Sequence, residues 1–177
     1  MSMERYILDT VRLLGYESLP TASTPICEDI DATTEPLNSQ DRKHFMTAVG
    51  CLGWLVNTRR PDVAYAHSRI AQHMATPTVA ALHAVCRCFR YLKGTAEYGI
   101  RSPRYTEHDA DAHWRVYCDS DFAGNSEPGN ARRSQNGFVA MLNGLLCFGA
   151  QRFRLSLSLA LTLVRRMQTC RVLLQRY

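Results

Sequence analysis

The 177-residue chain lacks several features that would place it in a common class of protein. No apolar run reaches the roughly 18 residues that a membrane-spanning helix needs. The longest candidate, Leu155–Val164, is interrupted by serines and ends at Arg165. The motifs G-x-x-x-x-G-K-[ST], G-x-G-x-x-G, H-E-x-x-H and G-x-S-x-G are also missing. We therefore expect no membrane span, and the usual nucleotide-binding, zinc-protease and hydrolase functions are disfavoured.

The cysteines lack a regular spacing. There are seven of them, an odd number, and the first ten residues have no apolar core like that of a secretory signal. Both observations favour a reducing compartment. Cys86 and Cys88 are two positions apart with no second pair to complete a zinc site, so buried or unused thiols are the simpler interpretation.

Acidic residues are absent from the last part of the chain. Residues 151–177 contain six arginines and no Asp or Glu, whereas residues 1–150 carry fifteen basic and sixteen acidic side chains. The formal net charge of +5 therefore originates in the tail. An acidic partner would be attracted mainly to this tail.

Hydrophobic periodicity predicts helices in the first hundred residues. A short helix over 4–15 should stop at Gly15, and the polar residues 16–38 should cross a surface in extended form. Three further helices should pack as one compact unit. They are a helix capped by Ser39 with Phe45, Val49, Leu52 and Val56 on one face, a helix that begins at Pro61 with Val63, His67, Ile70 and Met74, and a helix capped by Gly94 with Val79, Leu82, Cys86 and Phe89.

Histidines occur on or beside these apolar faces, at His67 and His83. A histidine in such a place is more often a hydrogen-bonded core residue than a ligand, so we expect no site there. Residues 96–101 could form a short strand, and the polar residues 102–113 are the best candidate for a domain boundary.

The period changes to that of a sheet after this boundary. Trp114–Asp121 alternates, Gly137–Leu142 is short and apolar, and Leu145–Phe148 continues after Asn143-Gly144, which is a strong hairpin signal. A strand, a polar loop and a hairpin are expected.

Two carboxylates, Asp119 and Asp121, end the first of these strands. Residues two apart on a strand share a face, and carboxylate oxygens suit Mg²⁺, so the pair is a candidate metal site. A solvated strand end is the simpler interpretation, because only Glu127 follows as a further acid. In the loop, Arg132, Arg133 and Ser134 could bind phosphate or could simply be solvated.

Several ordered motifs resemble the copia-type LTR-retrotransposon polyprotein. Residues 4–26 resemble the segment after the reverse transcriptase palm, with its tyrosine-containing helix and S-T-P connector. Residues 45–100 contain G-C-L-G-W-L, T-R-R-P-D-V-A-Y-A, which has one additional arginine, and R-Y-L-K-G-T. Residues 117–144 resemble the opening strands of the ribonuclease H domain, with Y-C-D-S-D-F-A-G and R-R-S-Q-N-G.

This resemblance implies a fold and a parent activity. The fold would be α+β, with a helix and connector from the end of the reverse transcriptase (1–38), a helical thumb- or connection-like unit (39–101), the first strands of a truncated ribonuclease H-like domain (114–150) and a divergent tail (151–177). The parent would act on RNA–DNA hybrids inside the cell, in the cytoplasm within a virus-like particle or in the nucleus.

The resemblance also implies residue roles. Asp119 would be the first of four carboxylates that hold two Mg²⁺ ions, and Asp121 would lie beside the site as a further candidate ligand. Arg132, Arg133 and Ser134 would precede the second strand, where a phosphate contact is plausible.

The family pattern disappears after about Gln151. An S-S-T-E-A-E-Y helix would be expected near 159–165, but the chain has L-A-L-T-L-V-R there. The polymerase motif Y-x-D-D is missing as well. We therefore expect an inactive polyprotein fragment that does not hold Mg²⁺ stably.

The tail has two explanations. A reading-frame shift would account for the lost motif and the charge change together. The alternative is an authentic amphipathic segment that binds a partner or a membrane surface, or through which the chain self-associates. The chain with such a tail would be a nucleic-acid-binding accessory or a non-functional translated relic.

Overall fold

The chain separates into two compact units between Arg101 and Ser102, and each unit is described by itself. The computed structural model describes residues 3–26, 30, 35–100, 113–121, 135–143 and 145–153; of these, the side chains of 120, 121, 135, 136 and 145–153 are left undescribed. Helices make up the first unit and an antiparallel sheet the second, so the predicted α+β class is confirmed.

The first helix, α1 (Glu4–Leu13), ends two residues before Gly15, where the sequence predicts the helix to stop. Gly15 has a φ of +73°, in the left-handed region that glycine adopts without steric cost. This turn lets the amide of Tyr16 donate to the carbonyl of Val11 at 2.9 Å, and the amide of Gly15 donate to that of Arg12 at 3.0 Å. The two bonds satisfy carbonyls that a helix end would otherwise leave unpaired.

The second helix, α2 (Ser39–Thr58), is capped by Asn38, so the prediction that Ser39 caps it is wrong. The Oδ1 of Asn38 accepts a hydrogen bond from the amide of Asp41 at 2.8 Å, and its Nδ2 donates to Asp41 Oδ2 at the same distance. This reciprocal pair favours the asparagine as the cap. The buried face of α2 contains the predicted Phe45, Val49 and Leu52 together with Ala48 and Leu55.

Pro61 begins the next helical segment, as predicted. A 3-10 turn (Pro61–Val63) leads into α3 (Ala64–Ala71), and a second 3-10 turn (Gln72–Met74) follows. Proline suits the first position because its fixed φ fits a helix and its missing N–H has no helical partner to lose. Val63 and Ile70 are buried, which confirms the centre of the predicted stripe.

The helix α4 (Val79–Gly94) turns a different face to the core than the sequence predicts. Of the four predicted residues only Phe89 is fully buried, and the other three are half-buried. The pattern undervalues alanine, a weak hydrophobe that is nevertheless often buried. The buried face consists of Ala81, Ala84, Val85, Cys88, Phe89 and Leu92.

Two details around α4 are also corrected. Gly94 is the last helical residue rather than a left-handed cap, and a Cβ placed on it would lie 3.1 Å from Thr21 Cβ. The glycine therefore permits close approach of the connector. His83 is exposed, so the expectation of a core histidine is wrong there, whereas His67 is half-buried and burial lowers its pKa.

One core joins the segments that the sequence separates at residue 38. Ile7 and Val11 of α1, with Leu14 directly after it, belong to the same buried cluster as the inner faces of α2, α3 and α4. The described residues of the connector (16–38) lie beside α4, where the amide of Ala22 donates to the carbonyl of Arg90 at 3.4 Å. Turns and bends occur at 17–19 and 23–25, so the predicted extended form is interrupted. Over 96–100 the described chain forms a turn followed by a single bridge residue, Gly99, so the predicted strand is reduced to one bridge.

The second unit is an antiparallel sheet in the order β1-β2-β3, with β1 (Trp114–Asp121), β2 (Gln135–Leu142) and β3 (Leu145–Phe153). The predicted strands and hairpin are confirmed, and β3 continues five residues beyond the predicted Phe148. Asn143 turns the hairpin with a φ of +48°. Its amide donates to the carbonyl of His113 at 3.0 Å, and its Oδ1 accepts from the His113 amide at 2.7 Å.

None of the helices in the described segments combines the length and the apolar character that crossing a bilayer would require.

Two glycines of α2 allow a matched test of how α3 packs against it. A Cβ on Gly50 would meet nothing within 4 Å, whereas one on Gly53 would lie 3.0 Å from His67 Nε2. Gly50→Ala should raise the free energy of unfolding by about 0.5–1 kcal/mol, because alanine favours the helix. Gly53→Ala should give no gain or a loss in urea unfolding. Equal gains would show that the His67 ring does not rest on α2.

Candidate functional site

The strand carboxylates form the first candidate site. Asp119 lies on β1 opposite Gly137 of β2, and its side chain is exposed. A Cβ on Gly137 would meet nothing within 4 Å, so the surface beside Asp119 is open on that side. Asp121 is two residues further along β1 and therefore on the same face of the strand. Its side chain lies outside those that the structure describes.

Magnesium chemistry needs more than these residues supply. Within the described segments, no three His, Cys, Asp or Glu side chains come together as metal ligands. Two-ion hydrolysis needs several carboxylates on both sides of the ion pair, and Asp119 is the one described side chain that the sequence assigns to that role. The described residues therefore do not fit an Mg²⁺ pair. Arg132, Arg133 and Ser134 lie outside the described residues.

Cys86 and Cys88, the two closely spaced cysteines, lie on α4 in the helical unit. Cys88 is buried in the core of the helical unit, and this burial raises the pKa of its thiol to about 12. Burial also raises the pKa of Cys86, which is half-buried. Thiols in such surroundings are protonated and poor ligands, which agrees with the interpretation of the pair as buried thiols.

The second candidate is a junction around Arg60, which sequence analysis did not single out. Arg60 is 1% exposed and is the largest fully buried side chain. Its Nε and Nη2 donate to the two carboxylate oxygens of Asp62 at 2.9 and 2.8 Å. Its Nη1 donates to the carbonyl of Thr95 at 2.8 Å, and Nη2 also donates to Thr95 Oγ1 at 2.7 Å.

Aromatic rings complete the surroundings of this cation. The guanidinium carbon lies 5.7 Å from the ring centre of Tyr91 and 6.0 Å from that of Tyr98, which is within the range of cation–π attraction. The hydroxyl of Tyr91 donates to Asp62 Oδ2 at 3.1 Å. The junction is therefore saturated with contacts, which indicates a structural role.

The ion pair persists because its partners compensate for burial. Burial alone would raise the pKa of Asp62, but the hydrogen bonds and charge of Arg60, with the Tyr91 hydroxyl, outweigh it and lower that pKa. Burial would likewise lower the pKa of Arg60, and the contacts with Asp62 and Tyr91 raise it. Both groups are charged at neutral pH.

Basic side chains of α4 hold the connector. Lys93 Nζ donates to the carbonyls of Glu17 and Leu19 at 2.8 and 2.6 Å. One turn earlier, Arg90 Nε donates to the carbonyl of Pro20 at 2.6 Å. These cations would be assigned to phosphate binding on charge alone, but here they bind main-chain carbonyls of the same chain.

Comparison with known proteins finds retrotransposon relatives. Over 143 residues the chain is 30% identical to the retrovirus-related Pol polyprotein from transposon RE1 of Arabidopsis thaliana, an alignment that covers 80% of this chain and 9% of that protein. Over 151 residues it is 24% identical to the corresponding polyprotein from transposon TNT 1-94 of Nicotiana tabacum, with 81% and 11% covered. The chain is thus similar to copia-type retrotransposon Pol polyproteins over about four fifths of its length.

A further relative, shorter than the polyproteins, is an uncharacterized mitochondrial protein of Arabidopsis thaliana. It is 29% identical over 153 residues, which cover 86% of this chain and 60% of the relative. The chain thus spans about three fifths of that protein and about a tenth of the polyproteins. No protein-family model matches the chain, and no solved structure does.

The Pol motifs quoted from the sequence meet at the Arg60 junction. T-R-R-P-D supplies Arg60 and Asp62, and R-Y-L-K-G-T supplies Tyr91 and Thr95 of the junction. In the second motif, Arg90 and Lys93 bind the connector, Leu92 is buried in the core and Gly94 leaves room for Thr21. In this chain the two strings therefore meet at a structural junction.

Replacing the buried Arg60 should lower the free energy of unfolding far more than replacing its neighbour Arg59. Arg60→Met leaves Asp62 and Thr95 without their donor, and because Asp62 is about a third exposed we expect a loss of about 2–4 kcal/mol in the free energy of unfolding. Arg59→Met removes the same charge outside the network and should change stability by at most about 0.5 kcal/mol. Urea unfolding of both variants measures the difference, and similar losses would contradict a junction centred on Arg60.

Proposed function

We propose that the chain is the part of a retrotransposon Pol polyprotein that joins the end of the reverse transcriptase to the start of the ribonuclease H domain. The helical residues 1–101 correspond to a thumb- or connection-like unit, and residues 114–150 to the first strands of a ribonuclease H-like sheet. The parent protein would act on RNA–DNA hybrids during reverse transcription.

The position of Asp119 is the observation that carries this proposal. It lies near the end of the first strand of an antiparallel sheet, it is exposed, and the residue opposite is a glycine with open space beside it. A hydrolytic carboxylate needs such an approach, because the ion and the phosphodiester must both reach its oxygens. The similarity to Pol polyproteins at matching motifs supports the same assignment.

The same geometry favours a chain that is inactive by itself. In the ribonuclease H enzymes that the sheet resembles, Mg²⁺ activates the attacking water and stabilises the leaving oxygen. Asp119 would hold part of that ion pair, and the sequence after Gln151 lacks the acidic motif that would supply the next ligand. The supported role is therefore that of a folded structural segment of the polyprotein.

Cleavage of an RNA–DNA hybrid tests the catalytic half of the proposal. With Mg²⁺ or Mn²⁺ the purified chain should give no cleavage above background, since the sequence after Gln151 lacks the acidic motif that would supply the next ligand of the two ions. Asp119→Asn and the control Asp9→Asn, which changes an exposed aspartate of α1, should both match the unmodified chain. Cleavage that Asp119→Asn abolishes and Asp9→Asn retains would show a working site.

Hybrid binding tests the role of the tail. Several cations of the helical unit are engaged within the chain, so we expect the arginines beyond β3 to dominate any weak binding. Replacing Arg165, Arg166, Arg171 and Arg176 with Gln should lower affinity and flatten the salt dependence by roughly 0.7–0.9 in log–log slope for each lost phosphate contact.

A control with the same change of charge locates the effect. Arg5, Arg12, Arg42 and Lys43 belong to the helical unit, and their replacement with Gln should leave most of the binding intact. If this control weakens binding as much as the tail variant does, the tail is not the attachment point.

A further inference from the structure

Three cations on one stripe of α4 contact successive positions of the connector. Lys93 reaches the carbonyls of Glu17 and Leu19, and Arg90 reaches that of Pro20. Arg87, one turn further from the C-terminal end of α4, donates from Nη2 to the hydroxyl oxygen of Thr24 at 2.8 Å. Lys93 and Arg90 bind carbonyl oxygens of the main chain, whereas Arg87 binds a hydroxyl group that can be chemically modified.

Arg87 retains an unused donor beside this contact. Its Nε is buried and has no hydrogen-bond partner. A buried charged donor without an acceptor is unfavourable, so a group that supplies an acceptor there would be stabilised. The arrangement differs from that of Arg60, whose Nε and Nη2 both donate to the two oxygens of Asp62.

Nε and Nη2 lie on one edge of a guanidinium and form a fork that fits two oxygens of a carboxylate or a phosphate. In Arg60 a carboxylate fills this fork. In Arg87 a hydroxyl oxygen occupies one half, and the other half, the buried Nε, has no acceptor. A second anionic oxygen on the Thr24 side chain would complete the fork.

Thr24 has the chemistry to acquire such oxygens. It is exposed, lies in the connector rather than in a helix or strand, and is followed by Pro25. A residue before proline is biased to extended backbone, the form in which protein kinases bind their substrates. Kinases that require proline after the acceptor residue recognise this Thr-Pro pair.

We infer that Thr24 is a phosphorylation site whose phosphate is received by Arg87. A proline-directed kinase would supply ATP: Thr24 Oγ1 forms a bond to the γ-phosphorus, the bond from that phosphorus to the β–γ bridging oxygen breaks, ADP leaves and the hydroxyl proton passes to a base of the kinase. The phosphate ester carries about −1.5 to −2 charges at pH 7. Its oxygens accept from Nε and Nη2 of Arg87 and fasten residues 20–24 to α4.

The test uses the full chain with a single remaining target. The chain has three Ser-Pro or Thr-Pro pairs, at Thr24, Thr76 and Ser102, so Thr76→Ala and Ser102→Ala leave only the first. A proline-directed kinase with ATP and Mg²⁺ should then add one phosphate at Thr24, located by peptide mass spectrometry, and Thr24→Ala should abolish the addition. No phosphate at Thr24, with a Thr-Pro control peptide modified, would overturn the inference.

Hydrogen exchange tests the receiving arginine. Phosphorylation should slow exchange of the Ala22 amide, which donates to the Arg90 carbonyl, by about tenfold, the effect of one added charge-assisted bond pair. In an Arg87→Gln background this gain should be lost. It should remain with Arg5→Gln, which removes an equal charge from an exposed position of α1. An equal gain in both backgrounds, or faster exchange after phosphorylation, would overturn the role of Arg87.

Discussion

A buried arginine sets the constraint on which the helical unit depends. Arg60 cannot leave water without acceptors on each side of its guanidinium, because an uncompensated charge in the interior is costly. Asp62 supplies acceptors from two residues along the chain, and Thr95 supplies others from 35 residues away in sequence. Satisfying the cation therefore fixes the start of α3 against the end of α4, and the apolar faces of both helices are aligned by a polar interaction.

The position of the connector depends on this arrangement. Once the end of α4 is fixed, Arg90 and Lys93 present a row of donors to the connector, and Gly94 lets Thr21 approach the helix. An extended chain that lacks helical partners needs other partners for its carbonyls, and these cations provide them. Acid should loosen the assembly at Asp62: its pKa is lowered in the folded state, so its contribution is complete above the unfolded pKa and is lost as pH falls through the folded value.

The sequence could predict elements because their signals are local. Periodicity placed the helices and strands, and Asn143-Gly144 placed the hairpin. The sequence pattern misjudged the inner face of α4, since Ala81 and Ala84 are buried but carry little hydrophobic signal. It also favoured Ser39 as the cap of α2, because the pairing of Asn38 with Asp41 depends on geometry. The Arg60 junction was invisible to periodicity, because Arg60 and Asp62 come together with Thr95 only when distant segments of the chain meet.

Stability and catalysis have separate origins in this chain. The motifs that identify the Pol family lie mainly in the helical unit, where each residue of R-Y-L-K-G-T has a packing or bonding partner within the same unit. Asp119 is placed by backbone pairing, with Gly137 opposite it in the register. The sequence after Gln151 lacks the acidic motif that the resemblance implies there, whereas the apolar faces of the helical unit share one buried core. Similarity to Pol polyproteins in such a chain is evidence about its fold, and activity has to be argued from the carboxylates themselves.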